Sequence, residues 1–248
     1  MNANSIASEI REGISTGRYR HGTRLPAVRR LAEERGVSQQ TVAAAYAQLA
    51  ALGMVRTEQG SGTVVTAGLP ADAHLGSFGP PDLSLPIWKP TAGGEASEAT
   101  TLVRQLAAPA WMAEHGIVDT DVVERTRIRR VDGVPVQHKL TIVPYALASY
   151  RPAGHEGVPP LLAPVGAERM APPAGVRFAD WIGWEVTRTD TVITAEPMDE
   201  AAAEALGLTE GTPGFRIVGV ARDPRESTVF VTVNTTPLHH RLTLSIGG

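Results

Sequence analysis

The first 17 residues have the hydrophobic pattern of an amphipathic helix. Ile6, Ile10 and Ile14 are four apart, so they form one stripe on a helix that Gly17 ends. A basic turn then leads to Pro26, a residue favoured in the first turn of a helix. The segment PAVRRLAEERG that begins there predicts the second helix.

A third helix is predicted in QQTVAAAYAQLAALG. Ser38 is a good N-cap for it, and Val42, Tyr46 and Leu49 form its apolar stripe before Gly53 ends it. Two β-rich segments follow, MVRTE and GTVVTA, joined by a Gln-Gly-Ser-Gly turn. Residues 1–66 therefore predict two helices, a tight turn, a third helix and a hairpin.

Residues 67–100 have little periodicity and many Pro, Gly, Ser and Thr residues, which indicates a linker with a strand near its end. A second domain is expected over residues 101–248. It begins with TLVRQLAAPAWMAEHG, which predicts a helix. The next segment, VVERTRIRRVDGVPVQHKLTIVP, predicts two strands around a turn at Asp132 and Gly133.

A loop rich in Pro and Gly is expected at about residues 150–177. Beyond it, WIGWEVTRTDTVITAEP alternates like a strand, and DEAAAEALGL predicts a short helix with Asp199 near its start. GFRIVGVARDPRESTVFVTVNTTP predicts another hairpin. Strands and helices in this mixed order favour an α+β fold over a doubly wound sheet.

The composition excludes several classes of site. The chain has 248 residues, 42% of them hydrophobic and 20% charged, as in globular proteins. It has no cysteine, which excludes disulfides, thiolate metal sites and cysteine nucleophiles. The sequence shows no signal-peptide pattern and no apolar run as long as a membrane span, so we expect a cytoplasmic protein.

The charge is distributed unevenly. The chain carries a net charge of −3 at pH 7, but residues 1–66 contain eight arginines and five acidic residues, a net charge of +3. The remaining residues contain 15 basic and 21 acidic groups, a balance of −6. A basic N-terminal domain on an acidic body is expected when only that domain meets a polyanion.

Two helices around a tight turn, the second beginning with polar residues, are typical of a helix-turn-helix whose second helix enters the DNA major groove. Side chains at the start of that helix would reach base edges, namely Ser38, Gln39, Gln40 and Thr41, with the small residues Ala43 and Ala44 behind them. A helical hairpin with a polar surface has the same pattern, so the pattern alone leaves both interpretations open.

The segment from Gly22 to Val65, GTRLPAVRRLAEERGVSQQTVAAAYAQLAALGMVRTEQGSGTVV, resembles the winged-helix head of the GntR family of bacterial transcription regulators. The resemblance implies that Arg29 contacts DNA from the first helix of the pair. A solvated ion pair between Arg29 and Glu33 is the alternative. The resemblance also implies a recognition helix that starts at Ser38, Gln39 and Thr41. It further implies a wing tip that meets the minor groove, formed by Gly60, Ser61, Gly62 and Thr63.

The sequence departs from that family at two positions of the recognition helix. The family often has a basic residue directly after the serine and another two places beyond the threonine, where this chain has Gln39 and Ala43. Fewer cationic contacts are therefore expected, with a weaker dependence of DNA binding on salt.

RIRRVDGVPVQHKLTIVP and ITAEPMDEAAAEALGLTEGTPGFRIVGVARD resemble the UTRA effector-binding domain of the HutC-type branch, whose fold is similar to that of chorismate lyase. The resemblance implies an anionic effector held by Arg127 and Arg129, with Lys139 and Thr141 as further candidates. Arg127 and Arg129 are alternate residues and share one strand face. Lys139 occupies a position that is often Glu in the family.

The charged strand also has a structural interpretation, in which the two arginines form an exposed face that acidic residues such as Glu124 and Glu185 balance.

An enzymatic function has little support in the sequence. The seven histidines lack metal-ligand spacing, and the chain has no nucleophile elbow, P-loop lysine or dinucleotide-binding glycine motif. We therefore expect no catalysis, no metal and no cofactor.

The sequence as a whole predicts a dimeric transcription regulator, most simply a repressor that binds an inverted repeat of double-stranded DNA and responds to a small-molecule effector. The alternative is a small-molecule or partner-binding protein whose degenerate head binds DNA weakly.

Overall fold

The computed structural model describes residues 1–58, 60, 62–74, 88–90, 95–118, 120–168 and 170–243. Its N-terminal part contains three helices and a hairpin, as predicted: α1 (Ala3–Ser15), α2 (Val28–Arg35), α3 (Gln39–Ala51), β1 (Val55–Glu58) and β2 (Gly62–Val65). Helix α2 begins two residues after Pro26, with Ala27 at its N-cap position. We call residues 1–66 the head.

The core of the head consists of the predicted helical stripes. The three isoleucines of α1 are buried together with Val42, Tyr46 and Leu49 of α3. The hydroxyl of Tyr46 donates to the carbonyl of Pro26 at 2.7 Å, which ties α3 to the residues that precede α2. Burial raises the pKa of Tyr46 to about 12, so its hydroxyl keeps this proton.

The rest of the chain, the body, is rich in strands. Its elements are β3 (Ala71–His74), β4 (Trp88–Pro90), β5 (Ala96–Ala107), a 3₁₀ helix (Ala110–His115), β6 (Asp121–Val131), β7 (Val134–Pro144), α4 (Tyr145–Ala148), α5 (Phe178–Trp181), β8 (Arg188–Pro197), α6 (Glu200–Leu206), β9 (Pro213–Arg222), β10 (Thr228–Pro237) and β11 (Arg241–Thr243). The head and body together confirm the α+β class.

The helix predicted in TLVRQLAAPAWMAEHG is wrong. The segment forms the second half of β5 and then the 3₁₀ helix. Two features of the sequence oppose an α-helix here. Pro109 lies in the middle of the segment and lacks the N–H that a helix interior needs, and Thr101 and Val103 are β-branched.

Residues 67–100, predicted as a linker with a strand near its end, contain β3, β4 and the start of β5. β3 pairs in parallel with β11 and antiparallel with β4, so this segment joins a small sheet with the C-terminal part of the chain. β5 extends across residue 100. The division of the chain into domains at residues 66 and 100 stays a prediction.

Six strands form the main sheet in the order β5-β6-β7-β10-β9-β8, and every neighbouring pair is antiparallel. The predicted turn between β6 and β7 is confirmed. Asp132 and Gly133 have φ values of 51° and 79°, as in the two-residue turns that suit the twist of a hairpin. The described residues of 150–177 contain turns and neither helix nor strand.

The two faces of this sheet are covered differently. On one face, Met112 and Ile117 near the 3₁₀ helix pack on Val122, Ile142 and other strand residues. On the other face, the segment from α4 to Trp184 covers only one end of the sheet. There, Trp184 stacks on Phe230 with ring centroids 4.9 Å apart. The opposite end of this second face carries polar and charged side chains.

The head contacts the body where α3 turns into β1. Gly53 has a φ of 67°, and a Cβ on it would lie 2.8 Å from Cγ2 of Thr212 and 3.1 Å from Cδ2 of Leu208. A glycine is needed here both for its backbone conformation and for its lack of a side chain.

Among the described residues, no helix is long and apolar enough to cross a membrane.

Asp199 should contribute measurably to stability as the N-cap of α6, because its Oδ1 accepts the N–H of Ala202 at 2.8 Å. We expect Asp199→Ala to lower the free energy of unfolding by about 1 kcal/mol, measured by urea denaturation. Asp199→Asn is the matched control, because asparagine caps equally well. Equal losses in both variants would contradict a capping role.

Candidate functional sites

The start of α3 carries two exposed amide side chains that make no hydrogen bond within the described residues. Ser38 accepts the N–H of Thr41 on its Oγ at 3.1 Å, and the hydroxyls of these two residues are 2.8 Å apart. This confirms Ser38 as the N-cap. Both hydroxyls are therefore hydrogen-bonded within the first turn of the helix. Gln39 and Gln40 are exposed and make no side-chain hydrogen bond within the described residues. They are therefore the groups of this helix end best placed to reach a ligand.

Farther along the same face of α3, the exposed residues are small. Ala43, Ala44 and Ala47 are exposed, whereas the apolar stripe on the opposite side of the helix is buried. A face without long side chains lets the helix axis come close to another surface. This is the shape that insertion into a DNA groove requires.

Arg29 lies on the exposed side of α2. Its Nε donates to Oε1 of Glu33 at 2.9 Å, and the two side chains are 79% and 65% exposed. This is the pair that the structural alternative for Arg29 requires. Pairs this exposed contribute little to stability, so Glu33 can be exchanged for another anion at small cost.

The hairpin of the head has the predicted form. Glu58 pairs with Gly62 at the end of the ladder, and Gly60 and Gly62 have φ values of 78° and 87°. Ser61, also assigned to the wing tip, and Gln59 of the same turn lie outside the described residues.

Thr63 differs from the expectation that it faces a ligand at the wing tip. Its side chain is only 7% exposed, and its hydroxyl lies 3.2 Å from that of Thr57 on the opposite strand. Its carbonyl accepts the N–H of Leu25. Thr63 therefore stabilises the hairpin and ties it to the segment before α2.

A further cation of the head, Arg24, was not among the residues predicted from the sequence. A β-bridge joins it to Val64, and its Cδ would lie 3.7 Å from a Cβ placed on Gly62, so the arginine lies beside the wing. It is exposed and forms no ion pair within the described residues. The basic turn RYRHGTRLP was the available signal, but only the bridge to β2 shows which surface this cation joins.

In the body, Arg127 and Arg129 converge on one carboxylate, which confirms that they share a strand face. Nη1 of Arg127 donates to Oε1 of Glu98 at 3.0 Å, and Nε of Arg129 donates to Oε2. Arg129 also donates to Oε1 of Gln137 at 2.7 Å. The counter-ion is therefore Glu98 on β5, an acidic residue other than the two that the sequence analysis gave as examples. Of those two, Glu124 pairs with Arg104.

Lys139 and Thr141 lie on β7, the strand that pairs with the strand of these arginines. Lys139 pairs in register with Arg127, and Thr141 pairs with Arg125. Lys139 makes no hydrogen bond or ion pair within the described residues. Burial, helped by Arg129 and Arg127, lowers the pKa of Lys139 to about 7 although Glu98 acts in the opposite direction.

Arg125 is a second residue that sequence reasoning missed. It is 7% exposed, and its Nη1 donates to the carbonyls of Leu161 and Ala163 at 2.6 and 3.2 Å. Its Nε is buried and has no partner within the described residues. Burial and the neighbouring Arg127 lower its pKa to about 10. Its position two residues before Arg127 was the only signal in the sequence.

These side chains form what we call the cationic cluster: Arg125, Arg127, Arg129 and Lys139 around Glu98. Burial alone would raise the pKa of Glu98, but Arg129, Arg127 and Lys139 outweigh it and lower that pKa to about 2. With Lys139 protonated, one carboxylate faces four cations, and the surplus of positive charge suits an anion held by bidentate guanidinium bonds. Among the described residues, no group of three His, Asp or Glu side chains could hold a metal.

Comparison with known proteins identifies the head. Residues 2–65 match the gntR family of bacterial regulatory proteins. Residues 2–65 therefore belong to the gntR family. The HTH-type transcriptional regulator TauR of Rhodobacter capsulatus is 44% identical over 61 residues, which are 25% of this chain and 13% of TauR.

A second relative, the HTH-type transcriptional regulator Rv1152 of Mycobacterium tuberculosis, is 37% identical over 70 residues, 28% of this chain and 58% of the relative. The chain thus covers less than two thirds of the length of either relative. The crystal structure of PhnF from Mycobacterium smegmatis is similar over 98% of both chains, with 23% identity and a TM-score of 0.52. This similarity shows that the gntR head and the body together share the fold of PhnF.

The match to the gntR family covers the helices, the turn and the hairpin that the sequence predicted. The structure adds Arg24 beside the wing of the gntR head, and it adds Arg125 and Glu98 to the predicted effector residues. Glu98 escaped prediction because it lies in the segment expected to be a linker.

Glu98 should make the stability of the chain depend on pH. Its pKa is lowered from 4.5 to about 2 in the folded chain, so its charge stabilises the fold above pH 4.5 and this contribution is lost as the pH falls toward 2. We expect Glu98→Gln to reduce the free energy of unfolding at pH 7, and the difference from the native chain to shrink steadily below pH 4.5. Urea denaturation at pH 7, 5, 4 and 3 measures this.

Glu210→Gln, at an exposed turn residue, is the control and should show a small effect at every pH. A difference for Glu98→Gln that stays constant from pH 7 to pH 3 would contradict an ionised Glu98 within the cluster.

Proposed function

We propose that this chain is a ligand-responsive, DNA-binding transcription regulator. The match of residues 2–65 to the gntR family carries the proposal, and the relatives TauR and Rv1152 are named transcriptional regulators. Catalysis has no part in it, and the chain would work in the cytoplasm with DNA as its partner.

In this proposal, α3 enters the major groove. Gln39 and Gln40 would read base edges, because a glutamine amide can pair with N6 and N7 of adenine. The small face that follows lets the helix approach closely. Arg29, and Arg24 beside the wing, would contact phosphates, which position the head without reading sequence. Two heads on a two-fold inverted repeat would need a dimer.

The ligand would be a small anion held by the cationic cluster. It would bind Arg127 and Arg129 in place of Glu98, or join them at the uncompensated charge of Lys139 and Arg125. The unpartnered Nε of Arg125 supports this, since a buried donor without an acceptor is rare in folded proteins. Thr141, opposite Arg125, would add a hydroxyl.

Ligand binding could reach the head through the β6–β7 hairpin. A Cβ on Gly68, two residues after the head, would lie 3.1 Å from Cγ1 of Val134, the first residue of β7. A shift of this hairpin would therefore press on the segment that carries the head. In the proposed repressor, the shift weakens operator binding, and couplings of this kind are about 1–3 kcal/mol.

A ligand- or partner-binding protein with a weakly binding head is the second candidate. Gln39 and Ala43 favour it, because they leave the start of α3 without the basic side chains common in the family. Binding to DNA from upstream of the chain's own gene distinguishes the two candidates.

Arg24→Ala and Arg29→Ala should each weaken that binding, because each removes one phosphate contact. We expect each variant to reduce the slope of log K against log[salt] by about one unit, measured by fluorescence anisotropy. Arg177→Ala, on an exposed arginine of the body, is the matched control. Wild-type affinity and slope in both head variants would contradict this placement of DNA even if the chain binds DNA.

The cationic cluster should bind anions in a way that Glu98 opposes. In a thermal-shift screen with anionic metabolites, inorganic phosphate among them, we expect stabilisation by at least one compound to disappear in Arg127→Ala and Arg129→Ala. Glu98→Gln should instead bind that compound more tightly, because it frees both guanidinium groups from their internal partner.

This opposite response separates ligand binding from mere stability, since all three substitutions disturb the same ion pairs. Weaker binding in Glu98→Gln, or no stabilising anion at all, would contradict an anion site here.

A further inference from the structure

Lys139 is the one cation of the cationic cluster without a partner among the described residues. Each arginine of the cluster donates to an oxygen atom: Arg127 and Arg129 donate to Glu98, and Arg125 donates to the loop carbonyls. Lys139 makes no hydrogen bond or ion pair there, although its side chain is only partly exposed. A partly buried ammonium group is rarely left without an acceptor, so this position suits the uncharged amine.

The strands beside Lys139 offer it positive charge and no carboxylate. On β6, one arginine lies opposite to it and two lie diagonal to it, namely Arg127, Arg125 and Arg129. On β10, Asn234 lies opposite, and that strand contains no charged residue. Glu98 lies one strand farther away, on β5. Burial, helped by Arg129 and Arg127, lowers the pKa of Lys139 to about 7, so much of the amine is uncharged at neutral pH.

Lysine is rare in this chain, which carries its positive charge almost entirely on arginine. The chain has 23 lysine and arginine residues, and only two of them are lysines, Lys89 and Lys139. A guanidinium group stays protonated in proteins, whereas the uncharged amine of lysine has a nucleophilic lone pair. The cluster therefore places its single nucleophilic nitrogen atom among three guanidinium groups.

We propose that Lys139 binds carbon dioxide covalently, as a carbamate on its Nζ that the guanidinium groups of Arg127 and Arg129 hold. The lone pair of the uncharged Nζ forms a bond to the carbon of CO₂, and one C=O π pair moves onto its oxygen. The nitrogen then releases one proton to the solvent. The reaction consumes no other compound, and it goes beyond the proposed function because it requires neither DNA nor an effector.

The charge of the cluster favours this adduct. With Lys139 protonated, the cluster has four cations and the carboxylate of Glu98. With the carbamate, it has three cations and two anions. A carbamate has two oxygens that share its negative charge, so it accepts charge-assisted hydrogen bonds from guanidinium groups as a carboxylate does. The modification therefore removes most of the surplus of positive charge.

The register lets the arginines reach the carbamate. Opposite residues on antiparallel strands have Cβ atoms about 4.5–5.5 Å apart, and long side chains also reach across the diagonal. Arg127 uses only Nη1 to bind Glu98, and Arg129 uses Nε and Nη1 for its two hydrogen bonds. Nη2 of both arginines therefore makes no hydrogen bond within the described residues, and both groups are available to donate to the carbamate oxygens without displacing Glu98.

Trapping with triethyloxonium tests the modification on the full chain. This reagent converts a carbamate into a stable ethyl ester, which peptide mass spectrometry assigns to a residue. After incubation with ¹³C-labelled bicarbonate near neutral pH, we expect at least about ten times more labelled ester on Lys139 than on Lys89, because an ordinary lysine is almost fully protonated there. Lys139→Arg should abolish the label at this position, and Lys89→Arg should leave it unchanged.

Variants of the neighbouring charges test how the carbamate is held. Arg129→Ala should lower the yield of ester on Lys139 several-fold, because it removes a donor to the carbamate. Glu98→Gln should raise the yield, because it removes the competing anion. Arg130→Ala is the matched control, since its side chain lies on the same strand but on the opposite face, and it should leave the yield unchanged. Thermal melts check that each variant folds.

Three results would each overturn the proposal: no labelled ester on Lys139 in the native chain, equal yields on both lysines, or a yield that falls in Glu98→Gln. None of them bears on whether the head binds DNA, so failure of this modification and failure of the proposed function are distinguishable.

Discussion

The register of the β6–β7 hairpin is the constraint on which the site of the body depends. Asp132 and Gly133 form a two-residue turn, and a bulge that adds one residue to β7 at Val136 then sets Arg127 opposite Lys139 and Arg125 opposite Thr141. Side chains alternate between faces along a strand. A slip of one residue would therefore carry the guanidinium groups to the face on which Met112 and Ile117 pack. The apolar core thus fixes where the cations lie.

Charge compensation explains how the fold tolerates that placement. Glu98 accepts from both Arg127 and Arg129, and the cluster still has more cations than carboxylates. A partly buried surplus of charge costs stability unless an anion relieves it. This surplus of positive charge is the feature on which the proposed anion site rests, and Glu98 is the internal partner that an anion would displace there.

The head was the more predictable part because its elements follow from local signals. The stripe of Ile6, Ile10 and Ile14, the cap at Ser38 and the glycines of the hairpin each act within a few residues, and the structure confirms them. The body depends on strand pairing between distant residues. The second half of its β5 was predicted as a helix because apolar residues in a half-exposed edge strand mimic a helical pattern, although Pro109 argued against it.

Local signals in the chain were enough to specify the helices of the head, both body hairpins and the shared face of Arg127 and Arg129, since helical period, turn chemistry and strand alternation are local properties. Tertiary structure alone decided which partners these residues meet. It brought Glu98 to the arginines, Arg24 to the wing and Arg125 under the loop carbonyls, and it buried Thr63. The physical reason is that these contacts arise from cross-strand pairing and packing, and sequence spacing does not encode either.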